Sequence, residues 1–161
     1  YPQLLRYCFD KLLLLVGFFF YQRIKIPSSL ITISHDGSFK HSAVPGIIDK
    51  NKPMNWEKHI DSSTHYLKGL ILLEDINIDN GPTALLSKSN KSKPLRSFLL
   101  KNYPKSKNNL VSKELFSEVK KQSELKLLTG KKGDLILLDT SNVHWASSFR
   151  KGIRKIIWLY F

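Results

Sequence analysis

At 161 residues, with 42% hydrophobic and 24% charged side chains, the chain fits one packed domain spanning 1–161 and excludes global disorder and fibrous classes. Its single cysteine, Cys8, excludes an internal disulfide and a cysteine-rich zinc site, and fits a reducing, cytoplasmic setting. The net charge of +13 favours anionic partners, nucleic acid among them, but the lysines between Lys88 and Lys132 lack the interleaved aromatic residues of a single-strand platform.

Residues 2–16 predict an amphipathic helix: Pro2 suits a first turn, apolar pairs recur at Leu4/Leu5, Cys8/Phe9 and Leu12/Leu13, and Gly17 stops it. Such a helix would lie against a sheet. The longest apolar run, Leu12 to Tyr21, falls short of the roughly 18 to 20 residues that span a bilayer, so no membrane partner is expected. A first residue other than Met points to a truncated N-terminus.

From Leu30 onward, short apolar runs alternate with Gly, Pro, Asn and Asp. This predicts strands over Leu30–Ser34, Trp56–Asp61, Tyr66–Leu73, Thr83–Leu86, Leu125–Thr129, Asp134–Leu138, Val143–Ala146 and Ile153–Phe161. Turns are expected at Asp79-Asn80-Gly81-Pro82, Lys131-Lys132-Gly133 and Arg150-Lys151-Gly152. Lys88 to Asn109, with Pro94 and Pro104, reads as an irregular insertion, followed by a short helix over Lys113–Lys121. About eight strands with one helical layer give a mainly β domain, a sandwich or barrel of jelly-roll type.

In Trp56-Glu57-Lys58-His59-Ile60-Asp61, the imidazole and the carboxylate are two residues apart and share one face of an extended strand. A third ligand from a distant strand would complete a facial set of two histidines and one carboxylate, leaving metal positions open. His144, after an apolar strand and a short turn, suits that part. The plainer alternative is a His and an Asp hydrogen-bonded within a strand.

Arg154 follows His144 by ten residues and enters a strand rich in Ile, Trp, Leu and Tyr. Buried there, its guanidinium needs an anionic partner. A dicarboxylate co-substrate would supply one end for it and the other for the metal; alternatively Arg154 points outward beside Lys155 or pairs with a protein carboxylate. Thr83, after Pro82, either caps its strand or hydrogen-bonds the co-substrate. His35 belongs to a turn before Gly37, His41 carries no pattern, and His65 is near enough to the pair to line a pocket. Trp145 and Trp158 read as barrel wall, and neither Ser28-Ser29 nor Ser62-Ser63 has the glycine frame of a hydrolase nucleophile.

The series His59-Ile-Asp61, Leu67-Lys-Gly-Leu-Ile-Leu-Leu-Glu-Asp75, Asn80-Gly-Pro-Thr83, Ser87-Lys-Ser-Asn-Lys91, Gly133-Asp134-Leu-Ile-Leu, His144 and Arg154 resembles the phytanoyl-CoA dioxygenase-like family. Its members are iron(II)- and 2-oxoglutarate-dependent oxygenases on a double-stranded β-helix, and the similarity runs from about Trp56 to the C-terminus. It implies iron held by His59, Asp61 and His144, and a 2-oxoglutarate carboxylate held by Arg154. It implies O2-dependent hydroxylation of a small organic substrate, with release of succinate and CO2. Asp61 favours hydroxylation over halogenation, since related halogenases replace this carboxylate with a small residue. Lys88-Ser89-Asn90-Lys91 stands where the family usually has Gly-Ser-His-Lys, and the region before Trp56 is short for the family.

Two readings stand against the oxygenase. One is a basic β-sandwich binding nucleic acid or another polyanion without catalysis, steeply salt-dependent and indifferent to chelators. The other is a zinc or nickel protein with the same ligands and no 2-oxoglutarate.

Overall fold

The computed structural model describes Leu15, residues 28–35, 38–44, 47–49, 57–63, 66–102 and 110–161, the first three strands through their backbone. Of the helix expected over residues 2–16, all but Leu15 lies outside the described residues, as do Trp56 and His65.

The described strands are β1 (Ser28–His35), β2 (Ser38–Val44), β3 (Ile47–Asp49), β4 (Leu67–Leu72), β5 (Thr83–Ser87), β6 (Glu124–Leu128), β7 (Leu135–Asp139), β8 (His144–Ala146) and β9 (Ile153–Tyr160). A larger antiparallel sheet runs β3-β2-β1-β9-β4-β7, and a smaller one runs β6-β5-β8. His59 extends the smaller sheet through isolated bridges to His144 and Leu110.

Strand periodicity assigns the faces. In the larger sheet, Lys68 sits opposite Tyr160 and Leu138, Leu70 opposite Trp158 and Ile136, and Leu72 opposite Ile156. Alternate residues share a face, so Lys68, Leu70 and Leu72 line up with Arg154, Ile156, Trp158 and Tyr160. That face packs on the smaller sheet: Leu70, Leu72, Leu138 and Ile156 are buried together, with Leu85 of β5 and Leu128 of β6 against them. The opposite face of β4 and β9 is buried too, at Leu67, Ile71, Ile157 and Leu159.

A second core lies behind the smaller sheet. There, α1 (Lys93–Asn102) and α2 (Lys113–Lys120) place Leu95 and Val119 against Leu86, Val143 and Ile60, with Phe98, Leu99, Phe116 and Trp145 packed around them. The Ser112 hydroxyl accepts from the Leu115 amide at 3.2 Å and caps α2, which forms where a short helix was expected. The stretch expected to be irregular after Lys88 is instead a 3-10 turn at Ser89–Lys91 followed by α1. Pro94 does not break α1 because it falls in the first turn, where its missing N–H has no helical acceptor.

Two other expectations are corrected. Over the described residues 57–61, the strand expected at Trp56–Asp61 reduces to one bridging residue, His59. Its chain leaves the sheet at once, the Asp61 amide donating to the Thr140 carbonyl at 3.0 Å. β1 forms where the strand Leu30–Ser34 was expected, whereas β2 and the short β3 extend the larger sheet beyond the expected strands. Among the described residues, no helix is long and apolar enough to cross a membrane.

The Asn80-Gly81-Pro82 turn ties the sheets at one end. Asn80 is buried, its Nδ2 donating to the carbonyls of Asp75 at 2.8 Å and Ile153 at 3.0 Å, which fixes the start of β9 next to Arg154. Gly81 has φ +73°, and a Cβ there would stand 3.3 Å from the Phe149 ring, so both backbone and space require glycine.

Candidate metal centre

His59 and His144 are held by reciprocal backbone bonds: the His59 amide donates to the His144 carbonyl at 3.1 Å, and the His144 amide to the His59 carbonyl at 2.9 Å. Their rings lie 4.3 Å apart between centroids. Each ring is fixed by a local bond, Nδ1 of His59 to the Glu57 carbonyl at 2.8 Å and Nδ1 of His144 to the Asn142 carbonyl at 2.9 Å. A carbonyl only accepts, so each Nδ1 carries the proton and each Nε2 keeps its lone pair. Metal-binding imidazoles are oriented in this way.

Asp61 completes the cluster. Its Oδ2 is 3.4 Å from Nε2 of His144, and one ligand atom from each of His59, Asp61 and His144 lies within 4.8 Å of the others. Burial, and then the neighbouring His144, hold the His59 imidazole below its ordinary pKa, so it is neutral at pH 7. Burial pushes the Asp61 carboxyl up, but contacts with His144 and Lys68 more than offset this and keep it well below the usual carboxylate range. Imidazole lone pairs beside an ionised carboxylate are donors that fit a divalent non-haem iron.

The turn before His144 supports this arrangement, and the sequence reading did not single it out. Asp139 Oδ1 accepts from the amides of Tyr66 at 3.1 Å and Ser141 at 3.0 Å, while Asn90 Nδ2 donates to Ser141 Oγ at 2.9 Å. The Ser89 hydroxyl accepts from the Val143 amide at 2.8 Å and donates to Asn142 Oδ1 at 3.3 Å. Ser89 and Asn90, which stand where Ser-His is usual in the family resembled, thus brace the turn that presents His144. The visible signal was the polar run Asp139-Thr140-Ser141-Asn142 just before that histidine.

Arg154 turns inward. It is 2% exposed, its Nη2 donates to the Thr83 hydroxyl at 3.1 Å, and its Nε is buried with no hydrogen-bond partner. Among the described residues, no carboxylate forms an ion pair with it. Burial lowers its pKa to about 10, so it remains a cation at neutral pH. Of the alternatives open in the sequence, Arg154 does not point outward and no carboxylate among the described residues pairs with it, while the hydroxyl of Thr83 faces the guanidinium. Thr83 is opposite Ala146 and Leu85 opposite His144, so the guanidinium partner sits one same-face step, roughly 7 Å, along β5 from the histidine's row.

Lys68 was not anticipated. It is 8% exposed, with Nζ 2.7 Å from Asp61 Oδ2 in an ion pair. The rings of Tyr160, Trp158 and Tyr66 stand 4.5, 5.4 and 5.9 Å from Nζ. Burial, followed by Asp61 and Tyr66, pushes the Tyr160 phenol up to about 12, leaving it a neutral hydroxyl. A lysine on the inward parity of an otherwise apolar strand was the available signal. His35 and His41 fall on β1 and β2, away from the three converging residues in sequence and sheet order.

Neither a protein-family model nor a curated protein sequence matches the chain. Solved structures do. EctD from S. alaskensis with bound Fe is 18% identical over 99% of this chain and 52% of its own, with a TM-score of 0.62. EctD with 2-oxoglutarate and 5-hydroxyectoine is 16% identical over 82% of this chain and 42% of its own, with a TM-score of 0.54. The epimerase SnoN in complex with Fe3+, alpha ketoglutarate and nogalamycin RO is 10% identical over 99% of this chain and 58% of its own, with a TM-score of 0.60. The fold is a cupin-like jelly roll. At these identities the likeness establishes the jelly roll itself, of which this chain spans 42% to 58% of the compared lengths.

Proposed function

We propose that this protein is an iron(II)- and 2-oxoglutarate-dependent oxygenase, of the phytanoyl-CoA dioxygenase-like type, that hydroxylates a small organic substrate. The observation that carries the proposal is the pairing of the His59–Asp61–His144 cluster with an inward Arg154 that has no carboxylate partner among the described residues. The bound iron and 2-oxoglutarate named for EctD, and the Fe3+ and alpha ketoglutarate named for SnoN, accord with it.

In this reading His59 and His144 would hold the metal through Nε2 and Asp61 through its carboxylate, while Arg154, steadied by Thr83, takes the distal carboxylate of 2-oxoglutarate. When bound, iron and co-substrate supply the oxidising power that inserts one oxygen atom of O2 into a C–H bond, with succinate and CO2 released. The chain's own part is placement and exclusion. The Nδ1 bonds aim the imidazoles, the Asp139–Asn142 turn fixes His144, and the buried Leu70, Leu72 and Ile156 keep water from the interior. Asp61 is the carboxylate that related halogenases replace with a small residue, and its presence supports hydroxylation.

The test is an anaerobic titration with iron(II) and 2-oxoglutarate, followed by admission of oxygen. A visible charge-transfer band and succinate formation are expected, both lost in Asp61→Ala. A protein that gives neither the band nor succinate is not this enzyme.

A further inference from the structure

We infer that Lys68 selects a substrate carrying a carboxylate: the protein hydroxylates a monocarboxylic acid with an apolar body. The inference rests on the oxygenase reading above and concerns its open question, the substrate.

Among the described residues, Lys68 forms an ion pair with Asp61 alone. An ammonium that is 8% exposed is costly without a counter-charge. Asp61 stands 2.7 Å from it. Once that carboxylate is shared with a divalent metal it is a weaker partner, and repulsion between metal and ammonium is added. A second carboxylate brought by the substrate removes the imbalance.

The surroundings of Lys68 define the rest of that substrate. Tyr66, Trp158 and Tyr160 are half-buried around the ammonium, and Asp61 and His59 are likewise half-buried beside it, so this is the accessible side of the metal cluster. Three rings offer an apolar surface for a hydrocarbon or aromatic body, while the ammonium fixes one end. The acid is thereby anchored with its carbon skeleton beside the metal ligands. Arg154, by contrast, lies further along the same face of β9, beyond Trp158 and Ile156, and is already bound to Thr83.

The experiment uses the anaerobic iron(II)–2-oxoglutarate protein, in which no turnover occurs, and measures dissociation constants by calorimetry. The probes are phenylacetate against phenylacetamide, and hexanoate against hexanamide. At least one acid is expected to bind about tenfold tighter than its amide. The preference should fall to about twofold or less in Lys68→Met and persist in Lys68→Arg, with near-ultraviolet circular dichroism showing that each variant is folded. The inference is overturned if acids and amides bind alike, if no probe binds, or if the preference survives in folded Lys68→Met. That last result would mean Lys68 merely positions Asp61. If the charge-transfer band fails to form before any probe is added, the oxygenase reading itself falls; a normal band with no preference removes only the substrate inference.

Discussion

Replacing Arg154 with Met should move stability and co-substrate binding in opposite directions. The guanidinium is 2% exposed with one neutral hydrogen-bond partner, and burial lowers its pKa to about 10. That displacement corresponds to about 3 kcal/mol against the charged form. Losing the bond to Thr83 costs about 1 kcal/mol, and Met fills most of the same volume. The metal-free variant is therefore expected to be more stable by about 2 kcal/mol, which raises Tm by about 4 to 8 °C for a domain of this size. Binding of 2-oxoglutarate should weaken about 30- to 150-fold, the equivalent of about 2 to 3 kcal/mol for a charge-assisted contact. Thermal denaturation of the metal-free protein and anaerobic calorimetry with 2-oxoglutarate measure the two effects. A variant that melts lower than the parent, or that binds 2-oxoglutarate within about threefold of it, would refute the assignment of Arg154 as a site waiting for an anion.

Lys88 adopts φ +67° where the resembled family usually has glycine. Lys88→Gly should stabilise by up to about 1 kcal/mol, read from urea denaturation, because relief of left-handed strain outweighs the added freedom of the unfolded chain. Ser89→Ala leaves the Val143 amide without its acceptor and should weaken metal binding about 10- to 100-fold by titration, with the histidines intact. The His59 imidazole is held below its ordinary pKa in the folded state, so the unfolded chain takes up the proton first. Its contribution to stability is fully present above about pH 6.5 and is lost as pH falls from there through the folded pKa. Urea midpoints of the metal-free protein between pH 7.5 and 5.5 should decline, and His59→Gln should flatten the decline over this range.

Most of the jelly roll was legible because its strands are apolar runs bounded by turn residues. Leu67–Leu72 and Ile153–Tyr160 read correctly to within a residue or two, since burial on both faces demands continuous apolar side chains. Ser38–Val44 was not legible: its mixture of Ser, Lys and His with single apolar residues has no clear period, and pairing with β1 is what makes it a strand. Pro94 concealed α1, although Leu95, Phe98 and Leu99 already carried helical spacing. In the site, His59, Asp61, His144 and Arg154 stood out because their residue types are rare in apolar surroundings and their order is specific. Lys68 did not, in a chain where lysine is common everywhere; its inward parity and aromatic neighbours acquire meaning only once the sheets are assembled. The Ser89–Asn90 brace was hidden for a related reason, since it joins two polar turns that are far apart in sequence.

The reciprocal backbone bonds between His59 and His144 join two segments separated by most of the described chain. Closing so long a loop is among the slower events in assembling a β domain, and nothing local to either histidine substitutes for it. The cluster therefore comes into being only when the two ends of the smaller sheet meet. Until then the nascent chain does not hold the three side chains of the cluster together.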